Sequence, residues 1–357
     1  MSDGYAASAP ASEAPGAPNA PLALTMGEPA GVGGEIALQA WLRRADARLP
    51  AFVLLDDPDR LRALSTRLGW SVPVVEVARA GEAAAAFDQG LPVLPQRLRA
   101  HPAPGEPTGA TAEAVLTSIR EAVRLTRAGE SAAVVTNPIA KHVLTAAGFD
   151  HPGHTEYLAW LAADGGPVPE PVMLLTCPEL SVVPVTIHIP LAEVPRRLSQ
   201  AAIVHAGRVT AQAMARDFGI DRPRLAVAGL NPHAGENGTI GREDIDVVAP
   251  ACETLRAEGI EVAGPLSADT MFHARARAGY DAALCMFHDQ ALIPIKTLDF
   301  ARGVNATLGL PFVRTSPDHG TAFAIAGTGQ ADPTSLIEAL KTARRMADGR
   351  ARHAPAG

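Results

Sequence analysis

Three histidines of this sequence each follow an apolar run of the kind that forms a buried strand. VVPVTIHIP contains His188, LAVAGLNPHAGENG contains His233, and AALCMFHDQ contains His288. Ligands bind at the carboxyl ends of strands in α/β folds, and three neutral imidazoles can hold a divalent metal ion with positions left open for a substrate. A single histidine in such a place is usually a hydrogen-bonded structural residue. The three together therefore predict a catalytic metal site, provided that they converge.

Two segments near strand and helix ends carry further polar groups or glycines. TMGEPAGVGGE, with Gly27 and three later glycines, allows a tight turn or the close approach of backbone to a ligand. It is neither a GxGxxG fingerprint nor a Walker loop, and a structural turn is the simpler alternative. In HPGHTEYLAW, Thr155 is predicted to cap a helix and to leave His154 at its mouth, where an anion can bind. A plain capped helix start is the alternative.

Charged side chains follow in the last third of the chain. Asp289, next to His288, is predicted to orient a ligand of the metal site. Lys296 and Arg314 can together hold a phosphate or a carboxylate, the arginine in bidentate geometry and the lysine as a point charge. Taken singly, each is more commonly a solvated surface charge. Polar groups at positions 305, 318 and 319 stand beside the same apolar runs.

The segments between these residues predict the elements that position them. Short apolar runs alternate with amphipathic stretches from residue 21 onward, which predicts an α/β fold with a mostly parallel sheet. DTMFHARARAG is predicted to be a helix, and Pro250 should kink the helix predicted in DIDVVAPACETLRAEG or mark its true start. The stretch 78–109 lacks periodicity and predicts a hairpin or an irregular connection.

Composition limits the classes of function. The 357 residues suffice for one large or two moderate domains, and with 47% apolar residues they can bury a sizeable core. A net charge of −7 argues against a nucleic-acid or anionic-membrane partner. Three cysteines and no apolar stretch long enough for a bilayer favour a reducing, cytoplasmic location. Residues 1–21 are rich in alanine and proline, which predicts a disordered tail rather than a signal peptide.

Taken together, these segments resemble the 4-hydroxythreonine-4-phosphate dehydrogenase family of pyridoxine biosynthesis. The matching stretches span residues 22–345 and include GEPAGVG, TNPIAK, PGHTE, NPHAGE, GPLSADTMF, HDQ and RGVNATLGLPFVRTSPDHGTAFAIAG. The last stretch is also similar to the cofactor-adenine loop of isopropylmalate and isocitrate dehydrogenases. The resemblance implies their two-domain fold, with a cleft between a cofactor-side domain (22–148 plus 304–350) and a metal and dimerisation domain (149–303).

The resemblance also assigns roles to residues of this chain. It implies a homodimer with a shared active site, in which one ligand histidine comes from the partner subunit, and it implies zinc, magnesium or cobalt as the metal. The implied metal ligands are His188, His233 and His288. The implied substrate-binding residues are His154, Thr155, Lys296, Asn305 and Arg314. The candidate contacts to NAD or NADP are Gly27, Asp318, His319 and Gly320.

The implied reaction is an oxidation followed by a decarboxylation. The C3 hydroxyl of 4-phosphooxy-L-threonine is oxidised with NAD or NADP, and loss of CO₂ then gives 3-amino-2-oxopropyl phosphate. A metal ion on that hydroxyl eases loss of its proton as hydride leaves, and it stabilises the enolate that forms on decarboxylation. Asp269, Lys296 and a metal-bound hydroxide are the candidates for the general base.

Two other functions stay open, and a third is disfavoured. A related subgroup oxidises D-threonate or D-erythronate 4-phosphate, which lack the amino group. A non-catalytic homologue that binds a metal or a phosphorylated ligand is the second alternative, because fold does not determine function. Metal-dependent phosphoryl hydrolysis requires a carboxylate-rich two-metal cluster, and the histidine-bearing loops contain none.

Overall fold

The structure is a computed structural model that describes residues 19–353. Most of the predicted tail, residues 1–18, lies outside the described residues. Within the described range the chain forms twelve strands. In chain order, β1 to β12 are Leu22–Thr25, Phe52–Asp56, Val74–Glu76, Leu91–Pro95, Val134–Val135, Val172–Cys177, Leu180–Thr186, Arg224–Ala228, Glu261–Leu266, Ala282–Phe287, Val304–Leu308 and Arg314–Pro317.

Thirteen α-helices accompany the strands over the same residues. In chain order, α1 to α13 are Gly33–Leu42, Arg44–Ala47, Pro58–Arg67, Ala83–Ala86, Ala112–Arg127, Lys141–Ala146, His154–Ala163, Val194–Arg197, Gln200–Arg216, Ala249–Ala257, Ala274–Arg277, His288–Leu298 and Thr334–His353. A π-helical turn, Asp244–Val248, directly precedes α10. No helix of this described range is long and apolar enough to cross a membrane.

The described strands form one sheet in the order β3-β4-β2-β1-β5-β12-β11-β6-β7-β10-β8-β9. Neighbours pair in parallel from β3 to β12 and again from β7 to β9. Between these two blocks, β11 and β6 make the antiparallel pairs. The prediction of an α/β fold with a mostly parallel sheet is confirmed, and the predicted domain boundaries stay a prediction.

Alternate residues of the central strands enter different cores. Leu22 and Leu24 of β1 pack in one hydrophobic cluster, and Ala23 between them packs in another. All three are fully buried. Parallel sheets are covered by helices on both faces, and this explains why the strand segments are continuous apolar runs rather than alternating ones.

Two predictions of local structure were wrong. The stretch 78–109 holds β4, which pairs in parallel with β2 and β3 instead of folding into a hairpin, and the irregular connection that was the alternative is confined to residues 96–108. The sequence of β4, LPVLP, contains prolines that hide the strand signal. In DTMFHARARAG only Ala274–Arg277 is α-helical, because the side chain of His273 caps that single turn by accepting from the backbone N–H of Ala276.

Two helix starts follow from their local sequence, and the one at Pro250 agrees with the prediction. Asp57 caps α3, since its carboxylate accepts hydrogen bonds from the backbone N–H groups of Asp59 and Arg60. Pro250 lies in the first turn of α10, where its missing N–H group is harmless. Pro250 therefore marks the start of the helix, and the preceding residues form the π-helical turn.

Candidate functional site

A cavity of about 1320 Å³ lies beside the carboxyl ends of β7 and β10, and we call it the main pocket. Most of the predicted site residues line it. They are His154, Thr155, His188, His288, Lys296, Asn305, Arg314, Asp318, His319 and Gly320. Three predicted residues are not part of its lining, namely Gly27, His233 and Asp269.

Two of the predicted metal ligands meet in the main pocket because of the sheet register. β7 and β10 pair in parallel with Thr186 opposite Phe287, so the residues after both strands emerge at one edge. The imidazole centroids of His188 and His288 lie 5.8 Å apart, with ring planes at 43°. With metal–nitrogen bonds of about 2.0–2.1 Å, two rings at this spacing can bind one ion between them. The donor set therefore fits a divalent metal ion.

Two neighbours hold His288 and its turn in place. Oδ1 of Asp289 lies 2.7 Å from Nδ1 of His288, which leaves Nε2 available as a ligand. Gln290 accepts a hydrogen bond from the backbone N–H of Met286 at 2.7 Å and donates one to the carbonyl of Gly229 at 2.8 Å. This is the contact expected if Asp289 orients His288 as a ligand, and the role itself stays a prediction. Gln290 was missed, although it belongs to the HDQ stretch.

The third predicted ligand, His233, lies on a loop outside the main pocket. β8 already ends at Ala228, and the segment Pro232–Gly238 that follows packs against the short turn Ala268–Thr270. Within residues 19–353, no group of three histidine, cysteine, aspartate or glutamate side chains is placed to hold a metal ion. One chain thus brings two of the three histidines together. The predicted contribution of a partner subunit stays a prediction.

Asp269, a candidate general base, accompanies His233 rather than the main pocket. The hydroxyl of Ser267 donates a hydrogen bond to its Oδ1 at 2.5 Å. That hydrogen bond lowers the pKa of Asp269. Because a general base works best when its pKa lies near the working pH, this arrangement does not favour Asp269 as the base within a single chain.

Arg314 is a buried cation in the wall of the main pocket, with 4% of its surface exposed. Its guanidinium donates to Oγ1 of Thr136 at 2.7 and 3.2 Å and to Oγ1 of Thr307 at 2.9 Å. Burial lowers the pKa of Arg314 to about 10. No carboxylate of the described residues forms an ion pair with it. The arrangement leaves a full positive charge for an anionic ligand.

His154 adjoins this charge and begins α7. The N-cap position belongs to Gly153, with extended backbone (φ −166°) and no side-chain cap. The prediction that Thr155 caps the helix was therefore wrong, because the N-cap lies two residues earlier, at Gly153. Nε2 of His154 is buried without a partner. Burial, and then the charge of Arg314, lower the pKa of His154, so its ring is neutral near pH 7.

Lys296 and Asp318 form an ion pair within the main pocket. Nζ of Lys296 lies 2.8 Å from Oδ2 of Asp318. The lysine predicted to bind the substrate and the aspartate predicted to contact the cofactor therefore neutralise each other. Beside them, Nε2 of His319 is buried without a partner, and Gly320 is exposed. An unpartnered ring nitrogen at the pocket is a feature that a bound ligand can satisfy.

Gly27, a candidate cofactor contact, has a structural reason to be glycine. Its φ is +67°, and a Cβ there would lie 2.7 Å from both the Cβ of Asn137 and the carbonyl oxygen of Pro138. Two turns approach each other at this point, and the N–H of Glu28 donates to the same carbonyl at 2.8 Å. This agrees with the structural alternative for the glycine-rich segment.

Three further polar residues in or behind the wall of the main pocket were not predicted. Thr136 and Thr307 hold Arg314, and Lys141, the first residue of α6, lines the cavity. Thr136 and Lys141 belong to the TNPIAK stretch, which was a usable signal. Thr307 had no local signal, because its role depends on lying opposite Arg314 in the β11–β12 pair.

Comparison with known proteins gives close relatives along nearly the whole chain. A 4-hydroxythreonine-4-phosphate dehydrogenase from Bradyrhizobium diazoefficiens is 56% identical over 335 residues, which are 92% of this chain and 97% of that protein. The solved 4-hydroxythreonine-4-phosphate dehydrogenase from Klebsiella pneumoniae has a TM-score of 0.82 and 37% identity, over 92% of this chain and 99% of that one. A terephthalate 1,2-cis-dihydrodiol dehydrogenase from Burkholderia xenovorans has a TM-score of 0.62 and 29% identity, over 91% and 97% of the two chains.

A family model agrees with these relatives. The family described as pyridoxal phosphate biosynthetic protein PdxA matches residues 48–343. This range includes every residue that lines the main pocket. The chain therefore belongs to the PdxA family, the family of the 4-hydroxythreonine-4-phosphate dehydrogenases.

Proposed function

We propose that this chain oxidises 4-phosphooxy-L-threonine with NAD or NADP and then decarboxylates the product. In the first step the C3–H bond breaks, hydride passes to the nicotinamide and the C3 hydroxyl loses its proton, which gives 2-amino-3-oxo-4-(phosphooxy)butanoate. In the second step the C1–C2 bond breaks with release of CO₂, and protonation at C2 gives 3-amino-2-oxopropyl phosphate. The observation that carries the proposal is the main pocket, where two imidazoles and an unpaired buried arginine line one cavity.

Arg314 would bind the phosphate of the substrate. A buried charge without a partner costs several kcal/mol, and a phosphate supplies both the missing negative charge and acceptor oxygens for bidentate hydrogen bonds. Asn305 and Thr155 line the same cavity and can donate neutral hydrogen bonds. The paired Lys296 is a weaker anion site, because Asp318 already neutralises part of its charge.

His188 and His288 would hold the metal ion, with Asp289 fixing the ring of His288. The chemistry that a divalent ion would supply there is Lewis-acid activation of the substrate hydroxyl. The neutral ring of His154 can accept or donate a hydrogen bond at Nε2, which is buried and unpartnered. Lys296 stays a candidate for the general base, and Asp269 can take part only if a partner subunit supplies it.

The proposal includes a homodimer with a shared active site. In it, His233 and Asp269 of one protomer would complete the main pocket of the other. Their position supports this, because they lie together, outside the main pocket of their own chain, and the charge of His233 contributes to the lowered pKa of Asp269. A metal site with all three histidines would then require two chains.

The test is a substrate and metal panel with the purified full-length chain. We expect NAD or NADP to be reduced with 4-phosphooxy-L-threonine, and a chelator to suppress the reaction. His288→Ala should lower turnover by about a hundredfold or more, because it removes a metal ligand. His205→Ala, on the outer helix α9, is the matched control and should keep full activity. Full activity of His288→Ala would contradict the metal assignment.

A second candidate is oxidation of a four-carbon sugar-acid phosphate such as D-threonate or D-erythronate 4-phosphate. Two of the three carboxylates that line the main pocket are already engaged, because Asp289 contacts His288 and Asp318 contacts Lys296. Glu156 is the lining carboxylate left to bind a substrate ammonium group, so a substrate without that group keeps its place as an alternative. In the same panel, better turnover of D-threonate 4-phosphate than of 4-phosphooxy-L-threonine would decide for this second function.

A further inference from the structure

The arginine of the main pocket is held in an unusual way for this chain. Two other buried or nearly buried arginines each pair with a buried carboxylate. Arg60 donates to Asp56, with its side chain 8% exposed and that of Asp56 0% exposed. Arg350 donates to Asp217, with side chains 14% and 1% exposed. Arg314, which is 4% exposed, instead donates its side-chain hydrogen bonds to hydroxyl groups.

One hydroxyl belongs to β11 and the other to the residue after β5, the two neighbours of β12, and the sheet register brings both to Arg314. Thr307 lies directly opposite Arg314 in the antiparallel β11–β12 pair. Thr136 follows β5, the parallel neighbour on the other side, and its N–H donates to the carbonyl of Thr315. Both threonines are themselves buried, at 1% and 3% exposure. Their contacts with Arg314 are therefore shielded from water. Hydrogen bonds to a charge are stronger in such a buried environment than in water.

We propose that Thr136 and Thr307 are positioning residues that aim Arg314 at the substrate phosphate without neutralising it. Three of the five guanidinium N–H groups donate to the two hydroxyl oxygens. These contacts fix the plane of the guanidinium and leave two N–H groups for a ligand. A hydroxyl carries no charge, whereas a carboxylate in either position would form an internal ion pair and compete with the phosphate.

The inference deepens the proposed function and rests on it in one respect, the assignment of Arg314 to the phosphate. Its test uses the full-length chain and two readouts. The first is the dissociation constant of inorganic phosphate, measured by calorimetry. The second is the separation of KM from kcat for the phosphorylated substrate. A threonine with only a structural role would change the melting temperature and leave both readouts alone.

The first comparison removes one hydroxyl at constant shape. Thr136→Val and Thr307→Val should each weaken phosphate binding and raise KM by about tenfold, because a hydrogen bond to a charged group is lost, while kcat changes much less. Thr136→Ser keeps the hydroxyl and should bind phosphate like the unchanged chain. If a valine variant fails to fold, Thr136→Asp still tests the inference.

The second comparison keeps the orientation and cancels the charge. Thr136→Asp places a carboxylate beside Arg314, so the variant should fold and yet lose phosphate binding. Phosphate affinity within twofold of the unchanged chain in Thr136→Val and Thr307→Val, or retained in Thr136→Asp, would overturn the inference. Arg314→Ala tests the proposed function separately from the inference about the threonines. If that variant still binds phosphate, Arg314 is not the phosphate site, whatever the threonine variants show.

Discussion

His154 illustrates how one buried side chain links the pocket to pH. Its Nε2 is shielded from solvent, and burial together with the nearby Arg314 charge lowers its pKa below the ordinary value of 6.5. The folded chain therefore disfavours the protonated ring, whereas the unfolded chain binds a proton as soon as the pH falls below about 6.5. Stability contributed by the neutral ring is present above that pH and is lost as the pH falls below it.

We expect His154→Asn to flatten the acid side of the stability profile. Between pH 7.5 and 5.5 the unchanged chain should lose about 1.4 kcal/mol of unfolding free energy through this one group, and the variant should lose correspondingly less. Urea unfolding at the two pH values measures the difference. His101→Asn, which alters an exposed histidine, is the control and should follow the unchanged chain. Equal pH dependence in both variants would contradict the buried, neutral assignment of His154.

At the scale of elements, the conformation of the loop that carries His233 depends on the π-helical turn Asp244–Val248 that follows it. Residues 233–237 all have positive φ, between +43° and +77°, and this conformation is unfavourable for the non-glycine residues among them. The carboxylate of Asp244 is 1% exposed and accepts from the N–H groups of Leu230 and Asn231 at 2.6 and 3.1 Å. This contact ties the base of the loop to the π-helical turn and so maintains the strained conformation.

We expect Asp244→Ala to destabilise the loop and, through it, the placement of His233. The variant leaves two backbone N–H groups without their acceptor, which should cost about 3 kcal/mol of unfolding free energy. Limited proteolysis should cut within 231–241 faster than in the unchanged chain. Asp246→Ala, whose carboxylate pairs with the exposed Arg242, is the matched control. Proteolysis at the same rate in both variants would show that Asp244 does not hold the loop.

At the scale of the whole molecule, exposed apolar side chains surround the region of the two pocket histidines. Ile293 lines the main pocket and is 62% exposed, and Leu191, at 70%, lines a smaller cavity of about 250 Å³ next to His188. Phe300, at 75%, follows α12 closely. Exposed apolar groups gathered at one place are typical of an interaction surface. This surface supports the proposed homodimer, in which a partner covers the pocket.

Subunit mixing tests the shared site directly. His233→Ala and His288→Ala should each be inactive, but a mixed dimer has one site with all three histidines. After dissociation and reassociation in equal amounts, half of the dimers are mixed, and we expect about a quarter of the unchanged activity. Mixing His188→Ala with His288→Ala should restore nothing, because both residues belong to the pocket of one chain. No recovery in the first mixture would contradict a site shared between subunits.

Local sequence patterns predicted much of the fold and part of the site. The runs that end before His188 and His288 are strands, and because these strands are parallel neighbours the two rings meet as their positions predicted. The same reasoning was incomplete for His233, since the loop after β8 turns away before that residue. The position of a residue after a strand sets the edge of the sheet where it emerges, but not the path of a long loop.

What the sequence by itself determined was the class of fold, the family and about half of the residues that line the main pocket, because apolar periodicity and motifs are local properties of the chain. The tertiary structure alone decided which charges are paired and which are free. Lys296 meets Asp318 across 22 positions of sequence, and Arg314 meets Thr136 across 178. Such contacts depend on sheet order and register, which arise from pairing between distant segments and have no signature in the local pattern.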